Sequence, residues 1–233
     1  VEKKKFAKEQ KQRLGLVIVE PREHEWLKGV LYNMAHTYGG QDVVLYIVHG
    51  VKNEQFVKNI IDDSWSNVNF LKLPIENLTR DDYNHLLTNS QFWSYFKTEH
   101  VLVFQTDTFI RKQIPDIFFL YDFVGSPWAW FPNSIKRRVG NGGFSLRKVS
   151  KMVEICEKYN FNPEIEEGED VFFCKYIDMD LVPPPSLASI FAVEHIYYPD
   201  PIGLHSIWRF QTIQDIAKWM TGIGGVPTLN LSA

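Results

Sequence analysis

The chain has 233 residues, 45% of them hydrophobic and 23% charged, and a net charge of −3. That length can bury a substantial core, while the slight acidic balance excludes a general nucleic-acid binder, which needs many Lys and Arg on one face. Only Cys156 and Cys174 occur, without metal-ligand spacing. A disulfide framework is therefore not expected, and a reducing compartment is the simplest fit.

The first thirteen residues carry Lys3, Lys4, Lys5, Lys8, Lys11 and Arg13 and read as a solvated basic lead-in. Leu14 to Val19 is a β-branched run, stopped by Pro21 within Glu20-Pro21-Arg22, and reads as the first strand. Trp26, Leu27, Val30, Leu31 and Met34 have helical spacing, and Gly39-Gly40 breaks the chain after them. Val43 to Val48 reads as a second strand ending at His49-Gly50. Phe56, Ile60 and Ile61 suit a short helix, and Val68 to Leu73 a third strand. Asp81-Asp82 opens one helix through Phe96, since acidic residues offset the positive end of a helix. Val101 to Phe104 follows as a strand apolar on both faces. Val139 to Arg147 reads as a tight turn feeding a strand, and Lys148 to Lys158 as a helix. Glu164 to Asp170 reads as an acidic loop entering a helix over 171–177. Strand–helix–strand alternation predicts an α/β fold with a mostly parallel mixed sheet flanked by helices. One domain is expected over 14–233. No apolar run reaches the length of a membrane span, and no signal-peptide core is present at the N-terminus.

The strand over 101–104 exits into Gln105-Thr106-Asp107. In open α/β sheets the carboxyl ends of strands form the ligand crevice, so a carboxylate there is a candidate for chemistry; alone, it could equally cap the next turn. Three further features accompany it: Arg137-Arg138 before Asn141-Gly142-Gly143, Gly168-Glu169-Asp170, and Gly203-Leu204-His205-Ser206. Glycines at 142 and 143 allow close backbone approach to a ligand or positive φ, as a plain β-turn also would. Acidic residues at a helix start could serve as bases or merely cap free amides. Arg137 and Arg138 suit phosphate oxygens, although adjacent residues on an extended segment point opposite ways. Trp128 and Trp130 flank Ala129 and project to one face if that stretch is extended; they could form a platform for a sugar ring or belong to the core.

The order of T-D after a strand, G-S-P-W, G-N-G-G-F-S-L-R, E-D-V-F and a late G-x-H resembles glycosyltransferases of GT-A type. It resembles in particular a group of sequence-inferred glycosyltransferases from microbes and large DNA viruses, and the G-G-F-S-L-R and E-D-V pair is similar to galactosyltransferase-type families. The resemblance spans about Leu14 to Trp208. It implies transfer of a hexosyl or pentosyl unit from a UDP- or GDP-linked donor to a hydroxyl of a glycan, lipid or protein. A cytoplasmic location follows, in a host cytoplasm if the chain is virus-encoded. GT-A proteins usually carry D-x-D where this chain has Gln105-Thr106-Asp107, so only Asp107 matches. By resemblance, Asp107 and His205 would hold Mn²⁺ or Mg²⁺, with the donor's diphosphate completing the coordination. Asp170 is the first candidate for the base of an inverting transfer and Glu169 the alternate. Glu20, Arg22, His49, Gln105, Thr106, Arg137, Arg138, Asn141, Gly142 and Gly143 are expected at the donor. Trp128 and Trp130 are expected at the acceptor.

Two other readings compete. Gln105 in the first acidic place favours a GT-A-like carbohydrate-binding or scaffold domain without catalysis. A nucleotidyltransferase ranks last, because the loop after the first strand, Glu20 to His24, lacks glycine.

Overall fold

The computed structural model describes residues 12–130 and 137–220. Apart from its last two residues, the basic lead-in lies outside them. The chain begins with β1 (Leu14–Val19), α1 (Leu27–Tyr38), β2 (Val44–His49), α2 (Glu54–Ile60) and β3 (Val68–Lys72). It continues through α3 (Arg80–Leu87), α4 (Ser90–Ser94), β4 (His100–Phe104) and β5 (Thr108–Ile110). Short pieces follow: a 3-10 turn over Asp116–Leu120, then β6 (Phe123–Val124), β7 (Ser126–Pro127) and β8 (Val139–Gly140). The remainder is β9 (Phe144–Lys148), α5 (Val149–Lys158), α6 (Glu169–Tyr176), α7 (Pro185–Phe191), β10 (Ala192–Val193), β11 (Gly203–His205), α8 (Ile207–Phe210) and α9 (Ile213–Met220).

Six strands form the central sheet in the order β3-β2-β1-β4-β9-β6, with β9 antiparallel to both its neighbours and the first four strands parallel. The mixed sheet with flanking helices expected from the sequence is therefore present. β1, β2 and β4 are buried along their whole length, as their continuous apolar runs require. Alternate side chains feed two cores. Val17, Val103, Tyr46 and Val48 pack with Trp93, Met152 and Phe173 on one face, and Leu16, Ile18, Leu102 and Phe104 pack with Leu31, Met34 and Phe191 on the other.

Two helix boundaries differ from expectation. The single helix expected from Asp81 to Phe96 is two, because Asn89 accepts a hydrogen bond from Gln91 N–H and starts a new helix. Asp82 and Thr79 form a reciprocal capping box at the head of α3. The helix expected over 171–177 opens two residues earlier, which puts Glu169 and Asp170 inside its first turn.

Connectivity decides where a ligand can sit. From β1 the chain moves outward through β2 and β3, then returns to place β4 on the other side of β1. The strand order therefore reverses between β1 and β4, and a crevice opens beyond their carboxyl ends. A second sheet, β10-β11-β5, lies across this end, and its antiparallel register sets His205 opposite Thr108.

Candidate active site

A cleft of about 460 Å³ opens at that switch point. Glu20, Pro21 and Arg22 from the end of β1 line it together with Gln105, Thr106 and Asp107 from the end of β4. The segment Asn77 to Arg80 with Tyr83 forms a further wall, and His24, Trp26, Trp208 and Arg209 edge it. Trp26 and Trp208 meet edge to face at 5.5 Å, each half exposed. The β1 wall is preset. Glu20 is buried and its two carboxylate oxygens accept from Arg22 Nε and Nη2 at 2.8 Å each. Asn53 Nδ2 donates to the Glu20 and Arg22 carbonyls, which pins the loop. Among the described residues the Arg209 guanidinium has no hydrogen-bond or ion-pair partner, so this exposed group is available to an anion in the cleft.

Asp107, on the cleft wall, meets His205, 98 positions away in sequence and not itself part of the lining. His205 Nε2 lies 3.3 Å from Asp107 Oδ1 and 3.3 Å from Gln105 Oε1. Ser206 donates from Oγ to Asp107 Oδ2 at 2.6 Å, and its N–H donates to the Asp107 carbonyl. On the far side of the ring, His205 Nδ1 is 3.1 Å from Glu194 Oε1, a close charge contact without hydrogen-bond alignment. Glu194 Oε2 makes a similar 3.1 Å contact with His195 Nδ1. Burial works against charge on both partners, but their contacts prevail. His205, flanked by Asp107 and Glu194, is pushed up to about 9, and Asp107, flanked by His205 and Ser206, is held down at about 2.

These residues fit a divalent cation in one specific sense. Asp107 Oδ1, Gln105 Oε1 and His205 Nε2 converge as an O, O, N donor set, and Ser206 and Glu194 hold the carboxylate and the imidazole from behind. Among the described residues no group of three or more His, Cys, Asp or Glu is set to hold a metal. An ion here would therefore take its remaining ligands from water and from phosphate oxygens.

The Asn141-Gly142-Gly143 turn does not line the cleft but packs directly on His205. Asn141 adopts φ 88°, and its Oδ1 accepts from the N–H groups of Gly143 and Phe144. Gly143 is required by space: a Cβ there would lie 2.0 Å from His205 Nε2. Its carbonyl accepts from Gln105 N–H at 3.0 Å, tying the turn to the β4 exit. Among the described residues the non-glycine positions with positive φ are Asn141 and Ser206, one on each side of His205. Backbone held in that region is concentrated where a site needs it.

The same turn aims two N–H groups, those of Asn141 and Gly142, at Asp170 Oδ2, both at 3.1 Å. Asp170 is not among the residues that line the cleft; it lies deep among protein atoms yet keeps part of its surface open. Burial and the neighbouring Glu169 charge push its carboxyl up to about 6, against the pull of Arg147. Glu169 has a different situation. It is buried, and its oxygens accept from Arg147 Nη1 at 2.5 Å and Nη2 at 2.9 Å. Arg147 is itself fully buried, with Trp93, Phe123 and Phe173 rings 5.0–5.5 Å from its guanidinium carbon. Breaking such a pair leaves an uncompensated buried charge. Glu169→Ala is therefore expected to lower unfolding free energy by about 3–5 kcal/mol in a urea titration, while Glu169→Ala with Arg147→Met recovers part of that loss.

The other expected site residues are placed elsewhere. His49 is buried, bonded through Nδ1 to the Gly50 carbonyl and packed edge-on to Phe70, and does not line the cleft. Arg137 reaches toward Asp180 at 4.0 Å, and Arg138 donates from Nη2 to the Ala129 carbonyl. Neither lines the cleft. Trp128 and Trp130 do share a face, their rings stacked at 5.1 Å, with Trp128 buried against Gly140 and Trp130 partly exposed. They lie off the cleft as well. Sequence reading did not single out Glu194, Arg209, Trp26, Trp208 or Tyr83 for the site. Glu194 and Tyr83 offer no local motif, because only the β10–β11 and α3–α6 packing brings them in.

Residues 67–205 match the family described as protein of unknown function, DUF5672. The chain belongs to that family. The matched span of this DUF5672 chain runs from the Val68 strand to His205, so it contains Asp107, the Asn141 turn, Asp170 and His205. No curated protein matches the chain. Among solved structures, the fold is similar to an active-site mutant of LgtC, a GT-A glycosyltransferase, with a TM-score of 0.57 at 11% identity. The match covers 82% of this chain and 86% of that one. The DUF5672 chain therefore has a GT-A-like, glycosyltransferase-like fold. Among the described residues no helix is long and apolar enough to cross a membrane.

Proposed function

We propose that this protein transfers a glycosyl unit from a nucleoside-diphosphate sugar to an acceptor hydroxyl, with inversion. One observation carries the reading. Segments distant in sequence converge at the carboxyl end of β4, beside a cleft at the switch point of a GT-A-like sheet: Gln105–Asp107, Asn141–Gly143, Asp170 and His205. Asp107 and the Gln105 amide, with His205 once its ring releases the proton it otherwise carries at neutral pH, would hold Mn²⁺ or Mg²⁺. Such a cation supplies Lewis-acid stabilisation of the departing diphosphate. Arg209 adds a positive charge at the rim, and the preset Glu20–Arg22 wall bounds the nucleotide side. UDP and GDP are the first donors to examine.

Asp170 takes the acceptor proton. Its Oδ2 accepts from two backbone N–H groups and its Oδ1 from Val171 N–H, and its affinity for a proton is raised by burial beside Glu169. A base poised near neutrality balances proton uptake against availability. Glu169, with both oxygens committed to Arg147, orients rather than reacts.

The direct test is release of free UDP or GDP from a panel of nucleotide sugars with Mn²⁺ and Mg²⁺. Slow, metal-stimulated release from at least one donor is expected. Gln105 in the first acidic place favours the competing reading, a glycan-binding or scaffold domain; that reading predicts no release but binding to free glycans.

A further inference from the structure

One polar atom at the cleft has no use within the fold. Tyr83 lines the cleft from the middle of α3, and its hydroxyl is buried without a hydrogen-bond partner among the described residues. The neighbouring Gln105 amide is close enough to influence the phenol but is not aligned to pair with it. Burial and the Glu169 charge hold this phenol far above the ordinary tyrosine range, so it remains an O–H. A buried hydroxyl left unpaired is destabilising, and natural folds rarely keep one without a reason.

The position of the ring is enforced from three sides. The Thr79–Asp82 capping box fixes the head of α3, and Arg80 Nη2 donates to the Glu167 carbonyl just before α6. Asn84, the residue after Tyr83, accepts from Glu169 N–H at 3.2 Å. These contacts dock α3 on the first turn of α6, which brings the Tyr83 hydroxyl within the electrostatic influence of Glu169, Arg147 and Asp170. The ring itself packs against the core face that holds Trp93 and Phe173, which leaves the hydroxyl as its one polar demand. Tyr83 shares the cleft wall with Gln105 and Asp107, where a donor's diphosphate would lie, so a sugar attached to that diphosphate would pass close to the ring.

We infer that the unpartnered Tyr83 hydroxyl is a specificity-determining group that hydrogen-bonds a hydroxyl of the transferred sugar. This rests on the glycosyltransferase reading above. A sugar hydroxyl both donates and accepts, so it can satisfy the phenol in either sense. Where a site is built to hydrogen-bond a substrate hydroxyl, removing one partner is felt on that substrate alone.

Tyr83→Phe removes the hydroxyl and keeps the packed ring. Calorimetric titrations in Mn²⁺ would compare UDP and GDP with UDP-glucose, UDP-galactose and GDP-mannose on both proteins. Expected are unchanged nucleoside-diphosphate affinities, about tenfold weaker binding of the preferred nucleotide sugar, and a Tm equal to or above wild type. Equal nucleotide-sugar affinities in the two proteins overturn the inference and leave the glycosyltransferase reading standing. Equal weakening of UDP and UDP-sugar overturns it too, since Tyr83 would then shape the cleft rather than read the sugar. A clear fall in Tm assigns the hydroxyl to the fold instead. Absence of all binding to the wild type removes both readings.

Discussion

Asp107→Ala abolishes metal-dependent binding of nucleoside diphosphates, by at least about 100-fold in Kd. Loss of a group that merely supports a metal ligand typically costs about 10–100-fold, so loss of the ligand carboxylate costs no less. Asp107 is the carboxylate at the β4 exit, and its Oδ1 faces His205 Nε2 with Gln105 Oε1 near by. The remaining set, a neutral amide and one imidazole, suits a hard cation poorly. Alanine also strips Ser206 of its acceptor and His205 of one of two flanking carboxylates, so a stability loss of about 1–3 kcal/mol accompanies the change. Asp107→Asn separates the two effects. It retains an acceptor for Ser206 while removing the charge, and loses metal-dependent binding with a smaller change in Tm. Calorimetry of UDP and GDP with Mn²⁺, beside thermal melts, checks both variants. Undiminished binding in Asp107→Asn removes Asp107 from the site.

Asp170→Asn lowers kcat by about 10²–10⁴-fold and leaves donor Kd unchanged, the loss expected when a general base is removed. The pH profile makes the assignment sharper. The folded carboxyl titrates at about 6, above its ordinary 3.8, and the reaction needs it ionised. Wild-type kcat/KM should therefore climb with pH through about 6 and level off above. Asp170→Asn should lose that limb. Stability runs the opposite way. A carboxyl whose folded pKa is raised contributes stability that is full below 3.8 and is lost as pH rises through about 6. Asparagine keeps an acceptor for the Asn141 and Gly142 N–H groups without the buried charge, but gives up the one for Val171 N–H. At pH 7 the two changes oppose each other, so the variant should stay within about 1 kcal/mol of wild-type stability while nearly inactive. That combination marks a group retained for chemistry rather than for folding. A variant that loses stability at pH 7 but keeps its kcat would instead make Asp170 a helix-capping residue.

Much of the fold was legible because the parallel strands β1, β2 and β4 are buried on both faces and therefore read as unbroken apolar runs ending at Pro21, Gly50 and Gln105. The break between α3 and α4 was harder, since Phe92, Trp93 and Phe96 continue the apolar pattern across it; only the Asn89 cap separates the two helices. At the site, Asp107, the Asn141 turn, Asp170 and His205 stand in recognisable local patterns, and packing does bring them together. Glu169 and Asp170 look alike in sequence and differ through distant partners, the buried Arg147 for Glu169 and the Asn141 turn for Asp170. His49, at the end of β2, occupies a strand terminus as Asp107 does, but on the side away from the reversal of strand order, where it packs on Phe70. Glu194 and Arg209 enter through β10 and α8, whose short pieces carry no periodicity to read.

A thermal-shift series on the wild-type protein, with nucleotide sugars in the presence and absence of Mn²⁺, tests the central claim most directly. With ligand a hundredfold above its Kd, at least one UDP- or GDP-linked sugar together with Mn²⁺ should raise Tm by about 5–10 °C, and omission of the metal should remove most of the shift. No shift from any nucleotide sugar, with or without metal, on protein that melts cooperatively would contradict it.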